Sequence, residues 1–333
     1  MQTGSVTIAE VQVMQVLTKD EERSQSVALR TILLATDGSA HAHYALEAAA
    51  DLARRSGASL HLVTAYQLPL SVAFVGAAYV GSEVATDPFE ADAQALLKVE
   101  ERRIEALGAS VSGLYTGRGA VFDVITTTAA TIDADLIVVG SRELGGLKRL
   151  IVGSVSASVT HAAHRPVLIV RGGTHHWPPE HVIVGVDRSP VSKRAARIAA
   201  TIARFFGDVT VELEEVIPDP PPEASRYFTF DDPVETEHER LDQFAENLEP
   251  LAGHPVSATT ASGDPADTLL ARESDRPGGS TLIVVGARGF GAARRLLLGS
   301  VSTKLIHSGH SPLLVVPAWP EKPPSRGARK QRA

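Results

Sequence analysis

The stretch of sequence that decides the fold occurs twice. Residues 135–170 read DLIVVGSRELGGLKRLIVGSVSASVTHAAHRPVLIV, and residues 281–316 read TLIVVGARGFGAARRLLLGSVSTKLIHSGHSPLLVV. Gly140 aligns with Gly286 at a separation of 146 residues, and the two stretches align throughout without a gap. A repeat of this length is too long for a solenoid unit and has the size of a complete domain. The sequence therefore predicts two copies of one small domain.

Composition agrees with two domains and narrows the class of protein. A length of 333 residues fits two domains, and an apolar fraction of 44% is enough for two cores. The net charge of −7 creates no strong field towards nucleic acid or acidic membranes. The absence of cysteine excludes disulfides, thiolate metal sites and cysteine nucleophiles. Without a long apolar run or a signal-peptide pattern in residues 1–29, we expect a cytoplasmic protein.

Short apolar runs rich in β-branched residues recur in both copies, as in strands buried on both faces of a parallel sheet. The predicted strands are 30–36, 59–66, 110–116, 136–139 and 166–170 in copy one, and 181–186, 208–217, 256–261, 282–285 and 312–316 in copy two. Helical segments separate them, the longest at 87–107 and 233–251. The predicted fold class is therefore α/β, with two doubly wound, five-stranded parallel-sheet domains.

Local signals place the helix ends and the domain limits. Ser39 and Ser189 are predicted N-caps of the helices that follow the first strands, and Gly57 is predicted to end the first of them. In copy two, Gly207 is predicted to end the helix after Phe206. The expected organisation is an N-terminal extension at 1–29, domain 1 at 30–171, a Gly- and Pro-rich linker at 172–180, domain 2 at 181–317 and a basic C-terminal tail at 318–333.

A glycine-rich segment follows the fourth strand of copy two. It contains Gly286, Gly289 and Gly299, and Ser300 then opens the next helix. Glycines let backbone amides approach an anion, and a helix N-terminus favours phosphate. A Walker loop is excluded because no Gly-Lys dipeptide occurs, and the turns after the first strands lack the Rossmann glycines. The spacing predicts a phosphate-binding loop, with tight helix–strand packing as the other explanation of the glycines.

On these motifs, residues 30–317 resemble a tandem universal stress protein. The resemblance implies a Rossmann-like, adenine nucleotide alpha hydrolase-like fold, with ATP, alone or with Mg²⁺, at the loop between strand 4 and helix 4 of each domain. In the ATP-binding branch of the family, the first-strand aspartate, its neighbour and a second-strand valine contact the base, and the glycine loop holds ribose and phosphates. The implied site residues are Val186, Asp187, Val216, Gly286, Gly289, Gly299, Ser300 and Val301 in copy two, and Thr36, Asp37, Gly140, Gly153, Ser154 and Val155 in copy one.

Copy one departs from the pattern at the second glycine, which is Glu143. This residue adds a Cβ where we expect the backbone to need a positive φ, and it places a carboxylate beside the expected phosphates. Two like charges about 4 Å apart repel by roughly 1–4 kcal/mol, although Arg142 or Lys148 could neutralise Glu143. We therefore predict that copy two is the more intact site.

The leading hypothesis is an ATP-binding stress-response regulator in which any ATP hydrolysis is slow, because no catalytic residues and no metal-holding carboxylates are identified. A nucleotide-independent dimerisation scaffold and a slow ATPase or other nucleotide-dependent enzyme are the alternatives. The expected partners are an adenine nucleotide, a second copy of the chain and an unidentified protein, but no membrane, and nucleic acid is not favoured. No metal site is expected. The family resemblance implies that the last strands, 166–170 and 312–316, pair as an internal pseudo-dimer, and such pairing would cover their open apolar edges.

Overall fold

The computed structural model describes residues 28–67, 88–141, 154–172, 177–218, 234–275, 280–289 and 298–318. Domain 1 contains strands β1 (Thr31–Ala35), β2 (Ser59–Tyr66), β3 (Val111–Arg118), β4 (Leu136–Ser141) and β5 (Val167–Arg171). Domain 2 contains β6 (His181–Val186), β7 (Thr210–Ile217), β8 (Val256–Ser262), β9 (Thr281–Gly286) and β10 (Leu313–Val316). The helices of domain 1 are α1 (Ala40–Ser56), α2 (Pro88–Ala106), α3 (Val121–Thr131) and α4 (Ser154–Ala162). Those of domain 2 are α5 (Pro190–Ala203), α6 (Val234–Glu246), α7 (Glu249–Ala252), α8 (Pro265–Ser274) and α9 (Ser300–Ser308).

The ten strands form one sheet in the order β3-β2-β1-β4-β5-β10-β9-β6-β7-β8. Neighbouring strands within each domain are parallel, which confirms the predicted α/β class. The last strands of the two domains pair antiparallel, with Leu313 opposite Ile169 and Val315 opposite Val167. The predicted pairing of these strands is therefore observed, and it joins the two sheets because each domain covers the open edge of the other.

The central strands are apolar because the sheet is covered on both faces. In β1, Ile32 and Leu34 lie in one buried cluster and Leu33 lies in a second one on the opposite face. All three side chains are fully buried. Both clusters contain residues from each domain, such as Leu168 and Leu314 in the first. The hydrophobic core therefore continues from one domain into the other.

Contacts of the linker also join the domains. The indole Nε1 of Trp177 donates to Asp51 Oδ2 in α1 at 3.1 Å, and its ring meets the ring of Phe206 edge to face at 5.6 Å. Arg55, one turn further along α1, lies over the same Phe206 ring at 5.1 Å and donates to the carbonyl of Phe205 at 3.2 Å. The linker thus holds α1 of domain 1 against the chain that follows α5 of domain 2.

Most helix ends agree with the sequence, but the end of α5 does not. Ser39 and Ser189 cap α1 and α5 as predicted. The prediction that α5 continues to Phe206 and stops at Gly207 was wrong, since the helix ends at Ala203. The N–H of Phe206 bonds to the carbonyl of Ala203, three residues earlier, and this tighter turn buries Phe206 beside the linker. The predicted helix at 233–251 is likewise divided into α6 and α7. Within the described residues, no helix combines the length and apolarity needed to cross a membrane.

Candidate functional site

In each domain, the candidate site lies where the first and fourth strands end side by side. Gly185 of β6 is opposite Val285 of β9, so the chain after β6 leaves the sheet beside Gly286. Domain 1 repeats the arrangement, with Ala35 of β1 opposite Val139 of β4. The chain turns to opposite sides of the sheet after these two strands, which is where open α/β sheets bind ligands.

Asp187 follows β6 and is fixed at the start of α5. Its Oδ1 accepts hydrogen bonds from the N–H of Ser189 at 3.2 Å and from the Ser189 hydroxyl at 2.6 Å. Its own N–H donates to Ser192 Oγ at 3.2 Å. Ser189 is also the N-cap of α5, because its Oγ accepts from the N–H of Ser192. The carboxylate position is therefore set by the same turn that begins the helix.

Gly289 lies against this carboxylate from the other side of the crevice. A Cβ built on Gly289 would overlap Asp187 Oδ2 and would lie 3.2 Å from its Cγ. The φ angle of Gly289 is outside the left-handed region, so the expectation that this position needs a positive φ is wrong. The glycine is instead needed because the Asp187 carboxylate occupies the space of a side chain. This contact joins the two segments that the sequence predicted as base-binding and phosphate-binding.

The other two glycines of domain 2 differ in what surrounds them. A Cβ on Gly286 would lie 3.0 Å from Val191 Cγ1 and 3.2 Å from the carbonyl of Arg288, so packing against the start of α5 explains this glycine. A Cβ on Gly299 would meet no described atom closer than 3.4 Å, and its backbone is extended at φ −82° and ψ 168°. Among the described residues, neither packing nor conformation requires a glycine at position 299.

The beginning of α9 is anchored under the end of β9. The N–H of Gly299 donates to the carbonyl of Ala287 at 2.7 Å, and the buried Ser302 hydroxyl donates to the same carbonyl at 3.0 Å. These two donors are therefore used within the fold. The N–H groups of Ser300 and Val301 lie in the first helical turn, where no intrahelical acceptor exists, and no partner is found for them in the described part of the chain. Within the described residues, these two backbone donors and the exposed Ser300 side chain are therefore available at the positive end of α9.

A charged pair beside this crevice was missed by the sequence reasoning. Arg188 has a left-handed φ of +65°, and its Nε donates to Glu215 Oε1 on β7 at 2.7 Å. Glu215 is buried, whereas its neighbour Val216, the predicted base-pocket valine, is half-buried near the end of β7. At the corresponding position domain 1 has Gly38, with φ +71°. A non-glycine residue with this φ signals a local constraint, but the sequence alone gives no indication of its partner.

A second charged cluster connects α9 to the start of α8. Asp264 is the N-cap of α8, and Lys304 of α9 contacts both Asp264 at 3.2 Å and Asp267 at 2.7 Å. The hydrogen bond from the Asp267 backbone N–H holds the pKa of Asp264 below its ordinary value, and Lys304 adds to this effect. The bond to Asp267 in turn raises the pKa of Lys304. These exposed contacts align the N-terminal turns of α8 and α9 next to one another.

In domain 1, the described candidate residues lie in the equivalent place. Thr36 is buried, its N–H donates to the Val63 carbonyl at 3.0 Å, and Asp37 Oδ1 accepts from the N–H of Ser39 at 3.0 Å. Gly140 packs closely, since a Cβ there would lie 2.8 Å from the carbonyl of His41.

Ser154 begins α4, and Val155 is exposed in its first turn. Gly153 and Glu143 lie outside the described residues. In the portion of the chain that the structure describes, no group of three or more His, Cys, Asp and Glu side chains is placed to hold a metal ion.

Comparison with known proteins identifies the repeated domain. The model of the universal stress protein family matches residues 28–171 and again residues 179–317. The chain belongs to the universal stress protein family. It is similar to universal stress protein Rv1996 of Mycobacterium tuberculosis, with 30% identity over 316 residues that cover 88% of this chain and 97% of the relative. Another relative, universal stress protein Rv2005c of the same species, is 31% identical over 191 residues, and that match spans only 62% of its length.

One solved structure supports the architecture of this universal stress protein. A universal stress protein from Archaeoglobus fulgidus superposes with a TM-score of 0.64 at 22% identity, covering 86% of this chain and 98% of that one. At this identity the likeness shows the fold alone. A universal stress protein solved in complex with cAMP aligns with 44% of this chain at 28% identity and a TM-score of 0.33.

Proposed function

We propose that this universal stress protein is an ATP-binding stress-response regulator and that domain 2 contains its more intact nucleotide site. Val186, Asp187 and Val216 would contact the adenine, and the glycine loop from Gly286 onwards would hold ribose and phosphates. The N–H groups of Ser300 and Val301 would donate to phosphate oxygens, with or without Mg²⁺ on the nucleotide. Family membership supports the overall role, and the geometry of domain 2 supports this assignment of contacts.

The observation that carries the proposal is the environment of Gly299. The fold gives reasons for glycine at positions 286 and 289, where a Cβ would meet Val191 and Asp187. The described residues give none at position 299, which directly precedes two N–H groups that have no partner among those residues. A glycine at the N-terminus of a helix that the described part of the fold does not require is explained by the close approach of an anionic ligand.

The remaining parts of the proposal rest on the sequence and the family. In domain 1, Thr36, Asp37, Gly140, Gly153, Ser154 and Val155 would form a second and weaker site. A homodimer, an unidentified protein partner and a cytoplasmic location also remain proposals. Because β5 and β10 already pair within one chain, a homodimer would need a different surface. A nucleotide-independent scaffold is the second candidate, and slow ATP hydrolysis would be an additional activity of the same site.

A matched pair of glycine substitutions tests the phosphate assignment. Gly299→Val should lower the affinity of domain 2 for MgATP about tenfold to a hundredfold, since a phosphate bound to backbone N–H groups depends on charge-assisted hydrogen bonds of about 1.5–3 kcal/mol each. Gly207→Val is the control, because a Cβ there would meet no atom within 4 Å, whereas a Cβ on Gly299 would meet only ordinary contacts at 3.4 Å and beyond, and Gly207 lies away from the crevice. Calorimetry in an Asp37→Ala background isolates domain 2. Equal affinities of the two variants would contradict the assignment, and binding of GTP as tightly as ATP would contradict the adenine contacts.

A further inference from the structure

Arg171, the last residue of β5, reaches from domain 1 into domain 2. It is 4% exposed, although it is an arginine at the end of a strand. Its guanidinium donates to three backbone carbonyls of domain 2, those of Leu305 at 3.0 Å, Ile306 at 2.8 Å and Ser311 at 3.0 Å. A buried cation is costly unless it is fully hydrogen-bonded, so these contacts give Arg171 a specific role at the domain boundary.

The carbonyls that Arg171 binds belong to the end of α9 and the turn that follows it. The Leu305 carbonyl also accepts from the N–H of Gly309, whereas Ile306 lies in the last turn, where carbonyls lack intrahelical donors. The end of the helix carries the negative end of its dipole, which a guanidinium also stabilises. On the opposite side of the same turn, the Glu273 carboxylate of α8 accepts from the N–H groups of His310 and Ser311. The C-terminal end of α9 is therefore held by one residue from each domain.

Gly309 has its side-chain space filled by Arg171. Its φ of −76° is available to any residue, but a Cβ there would lie 2.6 Å from Arg171 Nη1. At the separation of 146 residues that relates the two copies, Gly309 corresponds to Ala163 and Arg171 corresponds to Pro317. The Gly309–Arg171 pair of one copy is thus replaced by Ala163 and Pro317 in the other. Proline has no side-chain donor, so domain 2 cannot hold α4 of domain 1 in the same way.

We propose that Arg171 is a positioning residue for the nucleotide site of domain 2, so that this site is complete only when domain 1 is docked. The inference rests on the proposed function for its ligand. Helix α9 has nine residues and is therefore only about 14 Å long, at about 1.5 Å per residue. The N–H groups of Ser300 and Val301 lie at one end and Arg171 holds the other. Fixing the carbonyl end fixes the direction in which the two donors point.

Hydrogen exchange on the full chain tests the positioning without any nucleotide. Arg171→Met keeps the length and apolar volume of the side chain but removes its donors. We expect amide exchange in α9 to rise about tenfold, because the helix loses two hydrogen bonds near its C-terminal end and the turn that follows loses a third, while exchange in α4 stays unchanged. Arg55→Met is the control, since Arg55 also crosses the domain boundary but contacts Phe205 and Phe206 and not α9. Equal exchange in α9 of both variants would overturn the positioning role.

Nucleotide titration then tests the consequence for binding. Domain 2 is titrated with MgATP in an Asp37→Ala background, and domain 1 in a Gly299→Val background. Arg171→Met should weaken binding by domain 2 about tenfold and leave domain 1 unaffected, and Arg171→Lys, which restores the charge, should recover part of the loss. Equal losses in both domains would mean general destabilisation and would refute the proposal.

Two further outcomes separate this inference from the proposed function. If Arg171→Met does not fold, the MgATP affinities of the two domains are compared in Arg171→Lys instead. Weaker binding by domain 2 alone supports the proposal, and equal losses in both domains refute it. If the unsubstituted chain binds no nucleotide, the proposed function fails, and the exchange result still decides whether Arg171 positions α9.

Discussion

The contact between Asp187 and Gly289 leads to a prediction that two substitutions can isolate. Gly289→Ala places a methyl group where Asp187 Oδ2 lies, so the carboxylate must move. Movement strains or breaks its bonds from the Ser189 N–H and hydroxyl. A hydrogen bond to a charged group contributes about 1.5–3 kcal/mol, and we estimate the loss of stability from the weakening of one such bond. The free energy of unfolding should therefore fall by about 1–3 kcal/mol, and the ATP affinity of domain 2 should fall with it.

The same substitution should lose its effect when the carboxylate is absent. In an Asp187→Ala background, Gly289→Ala should lower the free energy of unfolding by less than about 0.5 kcal/mol, or should raise it slightly. The reason is that Gly→Ala at a compatible φ stabilises a protein by about 0.4–1 kcal/mol. Urea unfolding of the four chains completes the cycle, and Gly207→Ala controls for the intrinsic effect of the methyl group. Additive effects in the double variant would show that Gly289 does not act through Asp187 and would refute the reasoning.

Three further predictions concern the inequality of the sites, acid stability and the linker. Glu143→Gly should strengthen ATP binding by domain 1, and Gly289→Glu should weaken ATP binding by domain 2, as separate titrations of the two domains would show. Tighter ATP binding by domain 1 than by domain 2 in the unsubstituted chain would contradict this prediction. The fold lowers the pKa of Asp264, so its contribution to stability is present above the unfolded-state pKa and is lost as the pH falls through the folded-state pKa. Asp264→Asn should therefore reduce the slope of the unfolding free energy against pH in that acidic range. An unchanged slope would contradict this prediction. Trp177→Ala should lower the unfolding free energy by about 3 kcal/mol, because it removes the ring contact with Phe206 and the bond to Asp51, and thermal unfolding would measure the loss.

The sequence predicted the parts of this fold that depend on local pattern. Apolar runs located all ten strands of the described part of the chain, and Ser39, Ser189 and Gly57 located helix ends because capping depends on neighbouring residues. The pairing of β5 with β10 followed from the family resemblance and from the need to cover open edges. Helix α5 is one exception, since the burial of Phe206 against the linker overrode the expected stop at Gly207. The division of the predicted helix 233–251 into α6 and α7 is another.

The candidate site was only partly accessible to the same reasoning. Glycine spacing marked positions 286, 289 and 299 together, but it could not separate their roles. Those roles depend on what lies opposite each glycine across the crevice, as Asp187 does for Gly289. The contacts of Arg188 with Glu215 and of Arg171 with α9 join residues far apart in the chain and have no sequence signal. Long-range polar contacts of this kind required the structure.

The most direct test of the account is the identity of the small molecule that the protein binds. The full-length chain should be purified without added nucleotide and denatured, and the released molecules should be identified by mass spectrometry and quantified against protein. We expect ATP, retained mainly by domain 2 and strongly reduced in the Gly299→Val variant but not in Gly207→Val. A preparation that releases no adenine nucleotide and also fails to bind added MgATP in calorimetry would contradict ATP binding by this protein and favour the nucleotide-independent scaffold.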